Sequence, residues 1–134
     1  MIFVLKKSKF LFIFSLIFIL SFSAASTIFA ASSANIVVEK WTSNVTVPVD
    51  GQGQYGRVTV ASYSGSGSIR IQIKEPDSTT WRSPTVNDAD FLFLSTPDNG
   101  GTVTANYWMS RGYQYRLSVW GDNAITAGYI YNYQ

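Results

Sequence analysis

The chain has 134 residues, no cysteine and no histidine, with ten Lys and Arg against eight Asp and Glu, a formal net charge of +2. Lacking His and Cys, it cannot run Ser-His-Asp or Cys-His catalysis, it offers almost no zinc-site chemistry, and no disulfide staples its fold. About 100 residues remain once a leader is subtracted, enough for one domain stabilised by packing alone.

The leader comes first in the chain. Lys6, Lys7 and Lys9 precede an apolar run from Phe10 to Leu20, followed by the small residues SFSAASTIFAASSA. A basic head, a short apolar middle and a small-residue exit describe a secretory signal peptide. Cleavage is expected after Ala30 or Ala34, the latter placing Ser32 at the −3 position. The apolar run falls short of the ~20 residues that a membrane-spanning helix needs. The expected division is therefore 1–34 for signal peptide and cleavage region, and 35–134 for a single domain. Residues 35–134 carry seven Lys and Arg against eight carboxylates, so the positive balance belongs to the leader. Without clustered surplus charge there is no electrostatic case for nucleic acid or for a membrane surface after cleavage. Absence of Cys also rules out an N-terminal lipid anchor. A secreted, extracellular protein follows, and a cysteine-free exported domain is more typical of Gram-positive bacteria.

Period-two alternation dominates the rest. In GRVTVAS, Val58 and Val60 share one side and Arg57 and Thr59 the other. In SIRIQIK, Ile69, Ile71 and Ile73 oppose Arg70, Gln72 and Lys74. Such patterns mark half-buried antiparallel strands. Further strands are expected over 35–41, 44–49, 91–94, 101–109, 113–120 and 125–133. Between them, EPDST and TPDNGG supply turn chemistry, GDN follows Trp120, and SGSGS (64–68) reads as a flexible hairpin tip. The segment 79–89 alternates poorly and reads as a long surface connection. About eight short strands so spaced predict an all-β, antiparallel, jelly-roll-like β-sandwich.

The order of these features resembles the bacterial pre-peptidase C-terminal domain family. It is carried by the strand before a Pro-Asp turn (69–79) and by the Gly-Tyr-x-Tyr-x-Leu-x-Val strand (112–119). The resemblance spans roughly residues 45–133 and implies a jelly-roll-like sandwich accompanying exported proteins, with no catalytic role. Family members usually carry an acidic residue near the start of the first strand, where this chain has Ser68.

Carboxylates are the remaining catalytic repertoire. Glu39, Glu75, Asp77, Asp88 and Asp90 show no spacing that selects a glycosidase pair. Asp88 and Asp90 in NDADF would share a face if extended, as an acid/base pair or calcium ligands, but a solvated loop end before FLFL explains them as well. Asp98–Asn99 and Asp122–Asn123 sit beside glycine as turn-makers. GQGQYG (51–56) lacks the ending of a phosphate loop and reads as a loop. No enzyme activity, cofactor or metal is expected.

Aromatic residues are the unusual feature: four Trp, eight Tyr and two Phe lie in 35–134. In YWMSRGYQYRLSVWGD, burying Gln114, Arg116 and Ser118 together would be costly if they were unpaired. Tyr113, Tyr115, Leu117 and Val119 therefore face inward, leaving Gln114, Arg116 and Trp120 outward. By the same logic Val103, Ala105, Tyr107 and Met109 face inward, leaving Asn106 and Trp108 outward. Tyr129, Tyr131 and Tyr133 form a core or half-buried ladder with Asn132 opposite. Trp41 and Trp81 lie nearer loops and are ambiguous. Taking strands 101–109 and 113–120 as neighbours, the expected ligand-binding face is Arg70, Gln72, Asn106, Trp108, Gln114, Arg116 and Trp120. An outward Trp among amides and guanidinium groups suits sugar stacking, although each Trp also suits capping of a strand end. The leading expectation is a secreted, non-enzymatic module binding polysaccharide or cell-wall glycan. The alternative is an extracellular structural or protein-interaction protein, such as a matrix component, inhibitor or toxin, working through strand edges.

Overall fold

The structure, a computed structural model, describes residues 31–134. The expected leader sequence lies outside the described residues, apart from its last four positions. Among the described residues there are nine strands: β1 (Ser33–Val38), β2 (Ser43–Val45), β3 (Val49–Asp50), β4 (Gln54–Tyr63), β5 (Ser68–Lys74), β6 (Phe93–Ser95), β7 (Gly100–Met109), β8 (Gln114–Trp120) and β9 (Thr126–Tyr131). They form two antiparallel sheets. One has the order β1-β9-β4-β7; the other has β2-β8-β5-β6, with β3 also paired to β8. No described residue is helical.

The expected strand 44–49 is broken into β2 and β3, which accounts for the ninth strand. Both pair with β8, Val45 opposite Ser118 and Val49 opposite Tyr115. Four residue steps on the edge thus span three on β8, the extra residue of a bulge. Pro48 has no N–H to give the ladder. Thr46 repairs the gap, its hydroxyl accepting the Leu117 N–H at 3.0 Å while its own N–H bonds the Leu117 carbonyl.

Ser64–Ser68 is not a hairpin tip. The strands it joins, β4 and β5, lie in opposite sheets, so the segment arches across the sandwich. A tight packing position explains the arch: a Cβ on Gly67 would stand 1.9 Å from the Thr126 hydroxyl. The Gly67 N–H and the Ser62 hydroxyl both bond the Thr96 hydroxyl, tying the arch to β4 and to the residue after β6. With β2 and β3 counted as one strand, every connection except β5 to β6 crosses between sheets, a jelly-roll-like order.

The core lies between the sheets. Val58, Val60, Tyr107, Met109 and Ile130 come from one layer; Ile69, Ile71, Ile73, Tyr115, Leu117 and Val119 come from the other. Apart from Ile130, which lies opposite the expected tyrosine ladder, these are the residues that alternation places inward. Gly128 sits among them because a Cβ there would meet Val119 at 2.5 Å. Tyr129 and Tyr131 are half-buried on the outer side, while Asn132 is buried and donates to the Asp50 carbonyl at 2.9 Å.

Candidate functional site

The outer face of the five-stranded sheet is built by the alternate residues of β5 and β8. Register sets Ser68 opposite Trp120, Arg70 opposite Ser118, Gln72 opposite Arg116, and Lys74 opposite Gln114. Paired residues in an antiparallel ladder point to the same side, so these form four successive rows. Arg70, Gln72, Gln114, Arg116 and Trp120 are all half-buried there, as outward residues with covering neighbours should be.

A further tryptophan completes the face. Arg82 makes a two-bond antiparallel bridge to Ile73, at 2.9 and 3.0 Å, and ion pairs with Glu75 and Asp90. That anchor carries the preceding residue, Trp81, over the sheet beside Lys74 and Arg116. The Arg116 guanidinium lies 4.3 Å from the Trp81 ring centre and Lys74 Nζ 5.7 Å from it. On the other side of the bridge, Gln72 donates to the Ser83 hydroxyl. Trp81 comes from a segment without alternation, so periodicity gives no sign of its direction. The Ile73 bridge supplies it.

At the opposite end Trp120 takes the guanidinium of Arg70 at 5.7 Å. Beyond it, Trp41 is 74% exposed, held at φ 64° with its N–H bonded to the Gly121 carbonyl. A tryptophan in the left-handed region is uncommon. Here it turns the ring outward beside a notch of about 220 Å³ that is also lined by Trp120 and Asp122. Trp81 and Trp120 thus stand at the two ends of the face, separated by Arg116, Gln72 and Arg70, with Trp41 beyond Trp120 across the notch.

The charges on this face are uneven. Among the described residues both ion pairs belong to Arg82, and Arg70, Lys74 and Arg116 have none. Arg116 donates its Nε to Gln72 at 2.7 Å, and burial lowers its pKa. The Nε of Arg70 is buried with no hydrogen-bond partner. Gln114 is turned toward Asp50, donating at 3.2 Å.

Asn106 and Trp108 do not belong to this face. They point outward as expected, Trp108 being 50% exposed, but β7 lies in the four-stranded sheet. The expected seven-residue surface is therefore divided: five residues on one outer face, two on the opposite one. The turn between β7 and β8 crosses the sandwich instead of joining neighbours. On its own face Trp108 meets Tyr55 edge-on, with ring centres 5.2 Å apart.

A cleft of about 670 Å³ opens where the 82–92 connection passes β7 and the end of β8, lined by Tyr107, Tyr113, Tyr115, Trp108, Asp88 and Asp90 among others. Two of its tyrosine hydroxyls are engaged. Tyr107 donates to the Asp90 carbonyl at 2.7 Å, and Tyr115 accepts the Ser110 N–H at 2.8 Å; burial raises both phenols. Asp88 accepts from the Thr85 N–H and hydroxyl, which hold its carboxyl below the ordinary range. Asp88 makes a turn and Asp90 anchors Arg82. No cluster of three metal-ligating side chains occurs among the described residues.

No protein-family model and no curated protein matches the chain. Several solved structures align loosely. One is PirA, at 14% identity over 79% of this chain and 97% of that one, TM-score 0.42. Another is TmCBM61 in complex with beta-1,4-galactotriose, at 17% identity, 74% and 66% coverage, TM-score 0.37. A CBM4 structure aligns at 11% identity, 76% and 68% coverage, TM-score 0.38. These superpositions are too loose to carry a site across.

Proposed function

We propose that this chain is a secreted, non-enzymatic β-sandwich that binds polysaccharide or cell-wall glycan along the outer face of its five-stranded sheet. One observation carries the reading: Trp81 and Trp120 stand at the two ends of that face with guanidinium and amide groups between them, and Trp41 lies beyond Trp120. Tryptophan faces bury the C–H face of a sugar ring at small entropic cost. The Arg donors and Gln amides between them match hydroxyl groups that both donate and accept. An open, linear arrangement suits a polymer. The reading requires no cofactor, metal, nucleic acid or membrane contact.

Retention on insoluble polysaccharides tests it. Wild-type protein should be retained on at least one, and Trp81→Ala and Trp120→Ala should each weaken retention while melting near the wild-type temperature. Equal retention of both variants would refute the platform.

Export belongs to the same proposal, in keeping with the pre-peptidase C-terminal domains that the motifs resemble. Ser33 and Ala34 pair with Tyr131 and Ile130 in β1, and Ala34 is buried. Cleavage after Ala30 keeps that pairing, whereas cleavage after Ala34 removes it. The supernatant protein should therefore begin at Ala31 by intact mass; a full-length, membrane-bound product would overturn export.

A second reading, protein contact by strand addition, is favoured by β7. This ten-residue strand ends its sheet with one edge unpaired by any described strand. Concentration-dependent assembly in size exclusion would support it.

A further inference from the structure

The tryptophan strip is also a cationic strip, and we infer that its ligand is an acidic polysaccharide whose carboxylates pair with Arg70, Arg116 and Lys74. This rests on the glycan reading above and narrows it to uronate-bearing polymers.

Charge distribution is the first support. Carboxylates outnumber Lys and Arg by eight to seven over residues 35–134, yet β5 and β8 present three cations and no carboxylate on this face. Its acidic groups stand at the borders: Asp50 on β3, in the row of Lys74 and already engaged by Gln114, and Asp122 at the Trp41 notch. A chain with so little surplus charge elsewhere has not gathered these three cations through general basicity.

Spacing is the second. Arg70 and Lys74 are four residues apart on β5, about 13 Å at the rise of an extended strand. Arg116, opposite Gln72, lies in the row between them. The cations therefore step along the strip by roughly 7 Å at the backbone, with a ring at each end in Trp81 and Trp120. A polymer carrying one carboxylate per sugar offers several charges along such a strip and ring faces at both of its ends.

The individual groups are also prepared for an anion. Arg116 is oriented by its Nε bond to Gln72 and by the Trp81 ring, and its terminal nitrogens make no hydrogen bond to the described residues. That leaves the planar fork suited to a carboxylate. Arg70 sits across from Phe93 and Ser118 on its own face, beside Trp120, with its Nε buried and unpartnered. That Nε is closed to solvent, so an incoming carboxylate meets the terminal nitrogens of Arg70 instead.

Affinity electrophoresis tests the inference, with polygalacturonate and alginate in the gel, each beside its methyl ester, which keeps the rings and removes the charge. The expected result is binding to at least one acid form, at least tenfold weaker binding to its ester, and loss of binding between about 0.05 and 0.5 M NaCl as screening shortens. Arg70→Gln and Lys74→Gln should each weaken binding of the acid form about tenfold, with a clearly smaller loss on the ester and a melting temperature within about 5 °C of wild type. Trp120→Ala should weaken both forms. Equal binding of acid and ester, or binding to neutral glycans alone, would overturn the acidic ligand and leave the glycan platform standing. Binding to single-stranded DNA or phosphatidylserine vesicles but to neither polyuronate would overturn it in favour of another class. Binding to no glycan at all would remove both readings.

Discussion

The guanidinium of Arg116 lies 4.3 Å from the centre of the Trp81 ring, while its Nε donates a 2.7 Å hydrogen bond to Gln72. Three segments meet in that contact: β8, β5 and the long connection after β5. The connection is thereby fixed to the sheet by an aromatic ring as well as by the Ile73–Arg82 bridge. A double-mutant cycle on Trp81→Ala and Arg116→Ala, read by thermal melts, should give a coupling of about 0.5–1 kcal/mol. Strict additivity would mean that the two groups are adjacent without interacting.

Trp120 and Tyr115 lie on the same strand but belong to different environments. Trp120 is on the outer face, and Tyr115 is 3% exposed in the core, stacked near Tyr113 and edge-on to Tyr107. Tyr115→Ala should cost about 3 kcal/mol or more through the cavity it leaves. Trp120→Ala should melt close to wild type and lose about 1–3 kcal/mol of binding. Comparable unfolding by both would make Trp120 a core residue.

Adjacent positions on β5 should diverge just as sharply. Ile71 is fully buried between the sheets, so Ile71→Asp places an unpaired charge in the interior and should abolish folding. Arg70→Asp changes the open face and should leave a folded domain, with a cost of about 1 kcal/mol for the lost contact with Trp120. Circular dichroism of the two variants decides it; equal damage would show a different register.

Alkaline pH should loosen the cleft end of the sandwich. Burial is the main cause raising the Tyr107 and Tyr115 phenols above their ordinary value of 10.0. A folded pKa above the unfolded one contributes stability that is complete below the unfolded value and is lost as pH rises toward the folded value. The melting temperature should therefore hold to about pH 9 and decline beyond about pH 10. Tyr107→Phe should flatten part of that decline, at a neutral-pH cost of about 1 kcal/mol for the lost bond to Asp90. A Tyr107→Phe profile parallel to wild type would assign the decline to other groups.

Inward and outward sides were legible in the sequence because a half-buried strand repeats every two residues. Ile69, Ile71 and Ile73 against Arg70, Gln72 and Lys74 show the rule at work. Sheet membership was not legible, since alternation says which side a residue takes but not which layer its strand joins. Crossovers decide that, and Ser64–Ser68 and the β7–β8 turn both cross where local chemistry suggests neighbours. Alternation alone therefore groups Asn106 and Trp108 with Trp120, although their strand belongs to the other layer. Trp81 escaped because its placement depends on a single bridge to Ile73, a long-range bond with no local signature. Trp41 escaped because its outward turn comes from one left-handed backbone angle.

The bulge at Thr46–Pro48 bears on how copies of the chain meet at high concentration. One border of the five-stranded sheet is β2 and β3, interrupted by a proline, and the other is β6, three residues long. Short, broken borders are poor templates for another chain's backbone. Strand addition is therefore directed to the four-stranded sheet, where β7 offers ten residues. A filament or dimer built that way would grow sideways from one layer and leave the layer that carries Trp81 and Trp120 facing solvent in every copy. Repeated units would then present parallel rows of the same platform, and weak attachment at one unit would be multiplied by the effective concentration of the next.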